Sequence, residues 1–578
     1  MVNDTLTSGG IHFTGLGSNT DFDSIIDKLI QVESAHKNQL TEWQATWQQK
    51  QAGFQDLNTK LLTLQTTLQG MDRESEFLLK NADSSNPDDL TATASADAQE
   101  GSYVFTINQL AKTQIVTMTG TSASSLDAKV NATGSAQTFS YNYQGTEHSI
   151  SVPDGTTFST LISMINNDGA NPGVRASSIK ISDGVYQLQL RGLDTGATNT
   201  LLVSSNTTLT GYTASNATVT QTAQDAQFRL DGFPSNAWLS RSTNTIDDVV
   251  NGLSVLLKAT SAGSDVTVSV STDTAAIKQQ IHSFVDQMND VRAFILSLTK
   301  FDAQQKKGSL LTGNYGVEMV SSNLKNIVAS KGIGFNYYNS TTGQGDVYTT
   351  LSQLGILTEA DPGSPNAGLL TVDDAALDTA LQNNPDAVAE LFSGYYDGST
   401  TVSQPASNAA AFSYASSIAG STQGGTYNVS YTVAGGSVTG ATIDGYAATY
   451  DSNTHQLTAS KGPAGGLAIS VNSLVDGSYS GTVSLKVGKA TELIDQIKQL
   501  TNSTDGTLHI LEDNYQDIID DIQTKIDYEN NRLSDKRRAL TDQFARLEKT
   551  LSNYNGIQSA LNNGISQMSS SSSSSSSG

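Results

Sequence analysis

Residues 22–68 read FDSIIDKLIQVESAHKNQLTEWQATWQQKQAGFQDLNTKLLTLQTTL, and apolar side chains recur in this stretch at alternating steps of four and three. Counted from Phe22, the pattern is interrupted only by Glu33, His36 and Lys50. Its other members are Ile26, Leu29, Leu40, Trp43, Trp47, Phe54, Leu57, Leu61, Leu64 and Leu68. A heptad spacing of this kind predicts a long helix with a narrow apolar stripe that one helix cannot bury alone. We call these residues the N-terminal seam.

The other end of the chain repeats the pattern. From Leu540 the same steps reach Phe544, Leu547, Leu551, Tyr554, Gln558, Leu561, Ile565 and Met568, and we call this set the C-terminal seam. Two seams at opposite termini can pair with each other or with copies in neighbouring subunits, and the spacing leaves both arrangements open. Either arrangement predicts a helical stalk built from both ends of the chain.

Between the seams the pattern changes to short alternating runs that are typical of β-strands. The clearest are residues 101–111, 186–192, 265–271, 427–433 and 481–487. Helical patterns are predicted at residues 157–167, 277–298, 317–328, 373–392 and 491–568, with breaks at Asn384–Pro385 and near Gly506. A disturbance of the first long helix is expected near Gly53.

We therefore predict an α+β multidomain fold, with a discontinuous terminal helical or coiled-coil stalk and a helical trunk from which antiparallel β-rich domains project. The predicted domains are a terminal coiled-coil leg with disordered ends (1–45 and 540–578), a helical trunk (46–82, 275–395 and 489–539), a first β domain (83–116 and 226–274), a second, outer β domain (117–225) and an inserted β domain (396–488). The serine run Ser569–Ser577 is expected to be a flexible tail.

Composition excludes several classes of function. The 578-residue chain has a formal net charge of −24, which argues against a general nucleic-acid binder. It contains no cysteine, so a disulfide scaffold, a thiolate metal site and a cysteine nucleophile are excluded. The six histidines lack metal-binding spacing, and we predict no catalytic, cofactor-binding or metal-binding residue. No secretory signal and no membrane-spanning run is expected.

The candidate site is instead an interface formed by the two seams. We predict that the oligomer or filament interface includes Phe22, Ile26, Leu29, Leu40, Trp43, Trp47, Leu540, Phe544, Leu547, Leu551 and Leu561. His36 could set helix register or be partly exposed, and Trp43 with Trp47 could form local core or anchor another subunit. The mixed charges between Lys525 and Lys549 could be a solvated face or could dock on acidic neighbours.

Several stretches, in this order along the chain, resemble the flagellar hook-associated protein 2 family. They are residues 13–40 (FTGLGSNTDFDSIIDKLIQVESAHKNQL), 90–114 (LTATASADAQEGSYVFTINQLAKTQ), 231–259 (DGFPSNAWLSRSTNTIDDVVNGLSVLLKA), 281–299, 310–320, 351–358, 368–394 (GLLTVDDAALDTALQNNPDAVAELFSG) and 530–565 (NNRLSDKRRALTDQFARLEKTLSNYNGIQSALNNGI). Residues 157–167 followed by 173–178 are similar to a short repeat of flagellins. The inserted β block and the serine tail lie outside the resemblance.

The resemblance implies a non-enzymatic protein that caps the distal tip of the bacterial flagellar filament. It implies export through the flagellar type III apparatus without a cleaved signal, and a ring of four to six copies. The expected partners are flagellin, the hook–filament junction protein and an export chaperone, with no nucleic acid, no membrane insertion and no cofactor. The alternatives are a junction or filament subunit, or a surface adhesin that binds host mucin through a β domain.

Overall fold

The computed structural model describes residues 21–573, except for residues 262, 303–305, 342, 344 and 419–420. Residues 1–20 and 574–578, which belong to the ends of the leg that were predicted to be disordered, lie outside these described residues. The helices are α1 (Phe22–Glu33), α2 (Ala35–Gln69), α3 (Glu74–Phe77), α4 (Phe158–Asn166), α5 (Thr274–Thr299), α6 (Tyr315–Ala329), α7 (Asp374–Asn383), α8 (Pro385–Ser393), α9 (Lys489–Thr501) and α10 (Thr507–Ser573), with 3₁₀ turns at Ala214–Asn216 and Leu351–Leu354.

The terminal helices form an antiparallel pair. Tyr515, early in α10, packs edge-on against Phe54 of α2 at a centroid distance of 5.3 Å. Phe544, much later in α10, stacks on Phe22 of α1 at 5.1 Å. Because contacts move toward the N-terminus as α10 advances, the two ends of the chain run alongside each other in opposite directions. We call α1, the adjoining part of α2 up to Trp47, and α10 from Ile518 onward the leg.

The break in the first long helix lies at Ser34, so the disturbance expected at Gly53 is wrong. Ser34 accommodates the break because its hydroxyl donates to the carbonyl of Gln31 at 2.7 Å. Gly53 stays helical, and a Cβ there would stand 3.5 Å from Leu298 of α5. Glycine costs about 1 kcal/mol in a helix, and close packing of α2 on α5 outweighs that cost.

The described part of the serine run, Ser569–Ser573, differs from expectation because it forms the end of α10. Adding a residue to an existing helix requires no new nucleus, so even a serine-rich end can extend it. The other predicted helix breaks, at Asn384–Pro385 and near Gly506, are confirmed by the ends of α7, α8, α9 and α10.

Packed helices form the trunk above the leg. The second half of α2 packs with α3, α5, α6, α7, α8 and α9 around one hydrophobic core. Helix α5 begins where the carboxylate of Asp273 accepts a hydrogen bond from the backbone of Ala276 at 2.9 Å. At the top of this core Phe392 stacks on Phe77 at 5.2 Å and meets Phe284 edge-on at 5.9 Å. Two hairpins border the trunk, Phe301–Asp302 with Lys307–Gly308 and Ile356–Thr358 with Leu370–Val372.

The first β body consists of two antiparallel sheets that share one core. One sheet has the strand order Lys80–Ser84, Val266–Thr272, Gly101–Gln109, Ala226–Leu230 and Leu239–Arg241. The other has the order Thr245–Ile246, Leu253–Leu257 and Leu90–Ala94. Strand Val266–Thr272 leads directly into α5, which joins this body to the trunk.

The second β body is inserted into the first, between Gln109 and Ala226. Its larger sheet has the order Thr218–Gln221, Ile115–Thr117, Val185–Gly192 and Val174–Ser182. Its smaller sheet has the order Thr146–Val152, Gln137–Tyr143 and Leu201–Val203. Helix α4 closes the core, and the expected apolar face supplies the buried Phe158, Leu161 and Ile165.

The inserted β body lies between α8 and α9 as one eight-stranded antiparallel sheet. The strand order is Tyr395–Gln404, Gly477–Val487, Gly425–Ala434, Ser437–Ile443, Tyr446–Asp451, Gln456–Ala459, Ala468–Val471 and Phe412–Ser416. The first and last strands approach each other, and the hydroxyl of Thr400 donates to the carbonyl of Phe412 at 3.4 Å. The sheet therefore curls around its own hydrophobic core.

Candidate functional site

The leg brings part of the two seams together within one chain. Phe22, Ile26 and Leu40 are buried, and Phe22 contacts Phe544 as described above. Leu40 packs in a small cluster with Ile522 and Ile526 of α10. Trp47 meets Tyr515 edge-on at 5.0 Å, which places it against both the leg and the trunk core. Leu540 and Leu551 are half-buried.

Other predicted interface residues remain exposed. Leu29 and Trp43 lie on the outside of the helix pair, and the ammonium group of Lys525 is 5.9 Å from the Trp43 ring centroid. Leu547 is 44% exposed, and Leu561 is also exposed. The assignment of all these residues to an interface between subunits stays a prediction.

Polar members of the N-terminal seam face polar partners on α10. His36 Nδ1 lies 3.4 Å from a carboxylate oxygen of Glu529. Glu33 accepts from Arg532 at 3.1 Å, and Arg532 also pairs with Glu529 at 2.7 Å. The polar residues that interrupt the N-terminal seam face charged residues of α10. They therefore favour this register of the helix pair over other registers.

The mixed charges of α10 serve this pairing. Arg537 forms an ion pair with Asp27 of α1, and Lys536 lies 3.8 Å from Glu33. Neither interpretation of the Lys525–Lys549 stretch included pairing inside the same chain. Exposed pairs of this kind contribute little energy singly, but together they favour one alignment of α1 on α10.

The partners of the N-terminal seam on α10 were missed at the sequence level. A backward count from Leu540 in heptad steps reaches Lys536, Leu533, Glu529, Ile526, Ile522, Ile519 and Tyr515. Four of them face α1 and α2: Ile522 and Ile526 pack with Leu40, Tyr515 packs on Trp47, and Glu529 lies beside His36. The signal was therefore present in the sequence, upstream of Leu540.

The Glu529–Arg532 pair should make the leg sensitive to pH. The hydrogen bond from Arg532 holds the pKa of Glu529 below its ordinary value, and His36 adds to the effect. A carboxyl group with a depressed pKa stabilises the fold above its unfolded pKa of about 4.3, and this contribution is lost as the pH falls through the folded pKa. We expect Arg532→Gln to speed amide hydrogen exchange in α1 at about pH 6, with the difference from wild type shrinking as the pH falls below about 4.3 and through the lowered pKa of Glu529.

The control is Arg538→Gln, because the exposed Arg538 pairs with Asp535 of the same helix at 3.5 Å and, among the described residues, forms no ion pair with α1. This variant should exchange like the wild type at both pH values. A difference between Arg532→Gln and wild type that persists unchanged at low pH would contradict the assignment.

The chain lacks other candidate sites in the part that the structure describes. Within residues 21–573, outside the gaps given above, no group of three or more histidine, aspartate or glutamate side chains is placed to hold a metal ion. Over the same residues, no helix combines the length and apolarity that a membrane crossing requires. Paired terminal helices that carry projecting β bodies define an elongated structural subunit of the kind that works by assembly.

Comparisons with known proteins identify the family. The sequence profile described as the flagellar hook-associated protein 2 C-terminus matches residues 223–556, and the N-terminus profile of the same family matches residues 18–114. A flagellin hook IN motif matches residues 138–194. The chain belongs to the flagellar hook-associated protein 2 family. It is a structural protein of the flagellum and not an enzyme.

Individual relatives are distant. The A-type flagellar hook-associated protein 2 of Pseudomonas aeruginosa is 26% identical over 407 residues, which cover 66% of this chain and 80% of that protein. The flagellar hook-associated protein 2 of Escherichia coli K12 is 27% identical over 406 residues, which cover 67% and 81%. A crystal structure of the flagellar cap protein FliD D1-D2-D3 domains from Escherichia coli aligns with a TM-score of 0.46 and 26% identity, covering 59% of this chain and 90% of that one.

Proposed function

We propose that this protein caps the distal end of the flagellar filament as a homo-oligomeric ring and that the leg holds the ring on the filament. In this role it promotes the folding and insertion of flagellin and prevents loss of monomers from the tip. The family match carries the capping function, and the exposed end of α10 carries the role of the leg. We infer a ring of four to six copies, with flagellin, the hook–filament junction protein and an export chaperone as partners.

The end of α10 supports docking on filament subunits. Beyond Phe544 the helix continues to Ser573, a length on the order of 40 Å at about 1.5 Å per residue. Leu547, Tyr554, Ile557, Leu561 and Ile565 are exposed along it. Exposed apolar residues at helical spacing mark a binding surface for other helices.

The end of α10 also carries no charged side chains, which suits an apolar helical partner. Residues 550–573 contain no aspartate, glutamate, lysine or arginine. Docking through this segment therefore depends on apolar burial and on hydrogen bonds from its many asparagine, glutamine and serine side chains. We expect its binding to change little with ionic strength, unlike binding through the charged part of α10.

The localisation follows from the same proposal. A cap acts outside the cell at the tip of the flagellum, and we infer export through the flagellar type III apparatus without cleavage of a signal peptide. Export through a narrow channel requires an unfolded chain, and a chain with no cysteine cannot form a disulfide that would resist unfolding.

The proposal is tested by electron microscopy and native mass determination on the full chain and on a chain lacking residues 545–578. The full chain should form closed plates of fixed subunit number with projecting legs. The truncated chain should keep the paired part of the leg, lose the exposed end of α10 and fail to support filament growth when it replaces the full chain. Open helical fibres would instead favour a junction or filament subunit, and filament growth with the truncated chain would contradict the role of the leg.

A further inference from the structure

A rigid aromatic knob projects from the first β body. Phe233 is 71% exposed and follows the turn between the strands Ala226–Leu230 and Leu239–Arg241. Asp231 and Gly232 form this turn with positive φ angles of 50° and 74°. The backbone of Phe233 is hydrogen bonded to Leu230 in both directions, at 2.9 and 3.1 Å. These hydrogen bonds hold the backbone of Phe233 in place, so its side chain stays exposed.

Asp231 fixes the turn to the sheet. Its carboxylate accepts from the backbone of Val104 at 2.8 Å, and its own N–H donates to the carbonyl of Val104 at 2.8 Å. Large apolar side chains that are exposed on a rigid support lose little conformational freedom on binding. Phe233 thus has the properties of a preorganised binding residue.

A cation accompanies the knob. The guanidinium of Arg229 lies 4.1 Å from the ring centroid of Trp238, and its Nε donates to the carbonyl of Ala237 at 3.0 Å. Among the described residues, no carboxylate lies within ion-pair distance of Arg229. Its charge is held in place by the aromatic ring and remains available to an anion.

A hollow of about 360 Å³ lies on the other sheet of the same body. Its walls include Thr93, Ala94 and Leu253, and Gly252 leaves one side without a side chain. Gly252 has a φ of 73°, and a Cβ there would stand 2.6 Å from the backbone nitrogen of Ala98. Asp247 lies at the rim, is exposed, and has no ion pair among the described residues.

The knob and the hollow belong to two different sheets. Both sheets contribute to one core, in which Phe228 and Val268 of the five-stranded sheet pack with Leu253 and Val255 of the three-stranded sheet. The knob lies on the five-stranded sheet, whereas the lining of the hollow comes from the three-stranded sheet and its connecting turns, so the body offers two different surfaces for a contact.

We propose that Phe233 of one copy docks in the hollow of the next copy, with Arg229 facing Asp247 across the contact. The two surfaces differ, so the contact is head-to-tail, and repetition of such a contact closes a ring when the rotation between copies is a whole fraction of a turn. The occupant is a second copy because one body carries both the apolar knob with a cation and the hollow with an anion. The inference rests on the proposed homo-oligomeric cap and names the contact that closes it.

The absence of cysteine makes cross-linking the direct test. A chain carrying both Ser235→Cys, at an exposed position beside the intact Phe233, and Ser254→Cys, in the wall of the hollow, should form a ladder of multimers that ends at the ring size when it is treated with a short bismaleimide. A mixture of the two single variants should stop at dimers, because each chain then has one reactive site. A double variant that stays monomeric over the concentrations at which the wild type assembles would overturn the proposal.

A second test uses truncation of the aromatic side chain. Phe233→Ala should raise the dissociation constant between copies by on the order of tenfold or more, as truncation of a central interface aromatic does. Val475→Ala is the matched control, since Val475 is 72% exposed but lies on the inserted β body.

Arg229→Asp and Asp247→Arg should each weaken assembly, and the double variant should restore it. Two additive losses in the double variant would overturn the pairing of Arg229 with Asp247.

These results are separable from failure of the proposed function. Cross-linked rings from a protein that cannot support filament growth would contradict the cap and leave the contact standing. Filament growth supported by a protein that yields no cross-link would contradict the contact and leave the proposed cap function standing.

Discussion

A chain carrying Leu547→Asp and Leu551→Asp is expected to fold its trunk and β bodies and to fail as a cap. Leu547 is 44% exposed and Leu551 is half-buried, and both lie beyond Phe544, the residue of α10 that stacks on Phe22. Removing them from the folded chain therefore costs little stability. An aspartate pair on the apolar stripe would place two charges in any helical interface, which costs several kcal/mol without partners.

The measurement is filament growth in cells whose own cap protein is replaced by the variant, together with secreted flagellin in the medium. We expect short or absent filaments and abundant free flagellin. The matched control is Leu62→Asp, because Leu62 is also 44% exposed on a helix but lies on the trunk. Normal filaments with the double variant would show that the exposed part of the C-terminal seam has no role in capping.

Lys486→Met is expected to cause a large loss of stability at the junction between the inserted β body and the trunk. Lys486 lies near the end of the last strand of the inserted β body and donates to Asp346 and Glu390 at 2.6 Å each. Burial lowers the pKa of Lys486, but the hydrogen bonds to the two carboxylates outweigh burial and hold the pKa above its ordinary value. The ammonium group therefore stays charged between two trunk carboxylates.

Removing that charge leaves Asp346 and Glu390 close to each other without a cation. Loss of one partner from a buried ion pair costs about 3–5 kcal/mol, and Glu390 is partly exposed, so we expect about 3 kcal/mol. The same region holds other contacts between the two bodies, including the backbone hydrogen bond from Val487 to Ile333 at 3.0 Å. The inserted β body should loosen from the trunk before either unfolds.

Urea unfolding and limited proteolysis at the junction of α8 with the inserted β body measure the two effects. Lys461→Met is the control, because Lys461 is exposed on the inserted β body and lies outside the ion pairs of the described residues. Adding Asp346→Asn to Lys486→Met should recover part of the lost stability, since one uncompensated charge is removed. A wild-type unfolding curve for Lys486→Met would show that the network does not hold the two bodies together.

Periodicity predicted most of the elements correctly. The apolar residues from Ile277 to Leu298 lie on α5, and the alternating runs at residues 101–111 and 481–487 lie on strands. Asn384–Pro385 separates α7 from α8 as proline chemistry requires. These predictions succeeded because side-chain spacing reports directly on helical or extended backbone.

Predictions that depended on distant neighbours did less well. Gly53 was expected to disturb its helix, yet the helix stays continuous there, where Gly53 is buried and close to Leu298 of α5, and the break falls at Ser34. The role of Lys486 was not visible, because its partners lie 140 and 96 residues away along the chain. Sequence spacing contains no information about which remote carboxylate will meet a given lysine.

The sequence by itself determined that both terminal regions of this protein carry helices with apolar seams, that β bodies separate them, and that the chain outside the inserted β body and the serine run resembles one family. Only the tertiary structure decided that Glu33 and His36 match Arg532 and Glu529 in the same chain, and that Leu547 is left exposed. The physical reason is that a heptad spacing specifies an apolar face, whereas hydrophobic burial has no preferred direction and accepts any complementary face. The choice of partner depends on where folding places the charges that accompany each face.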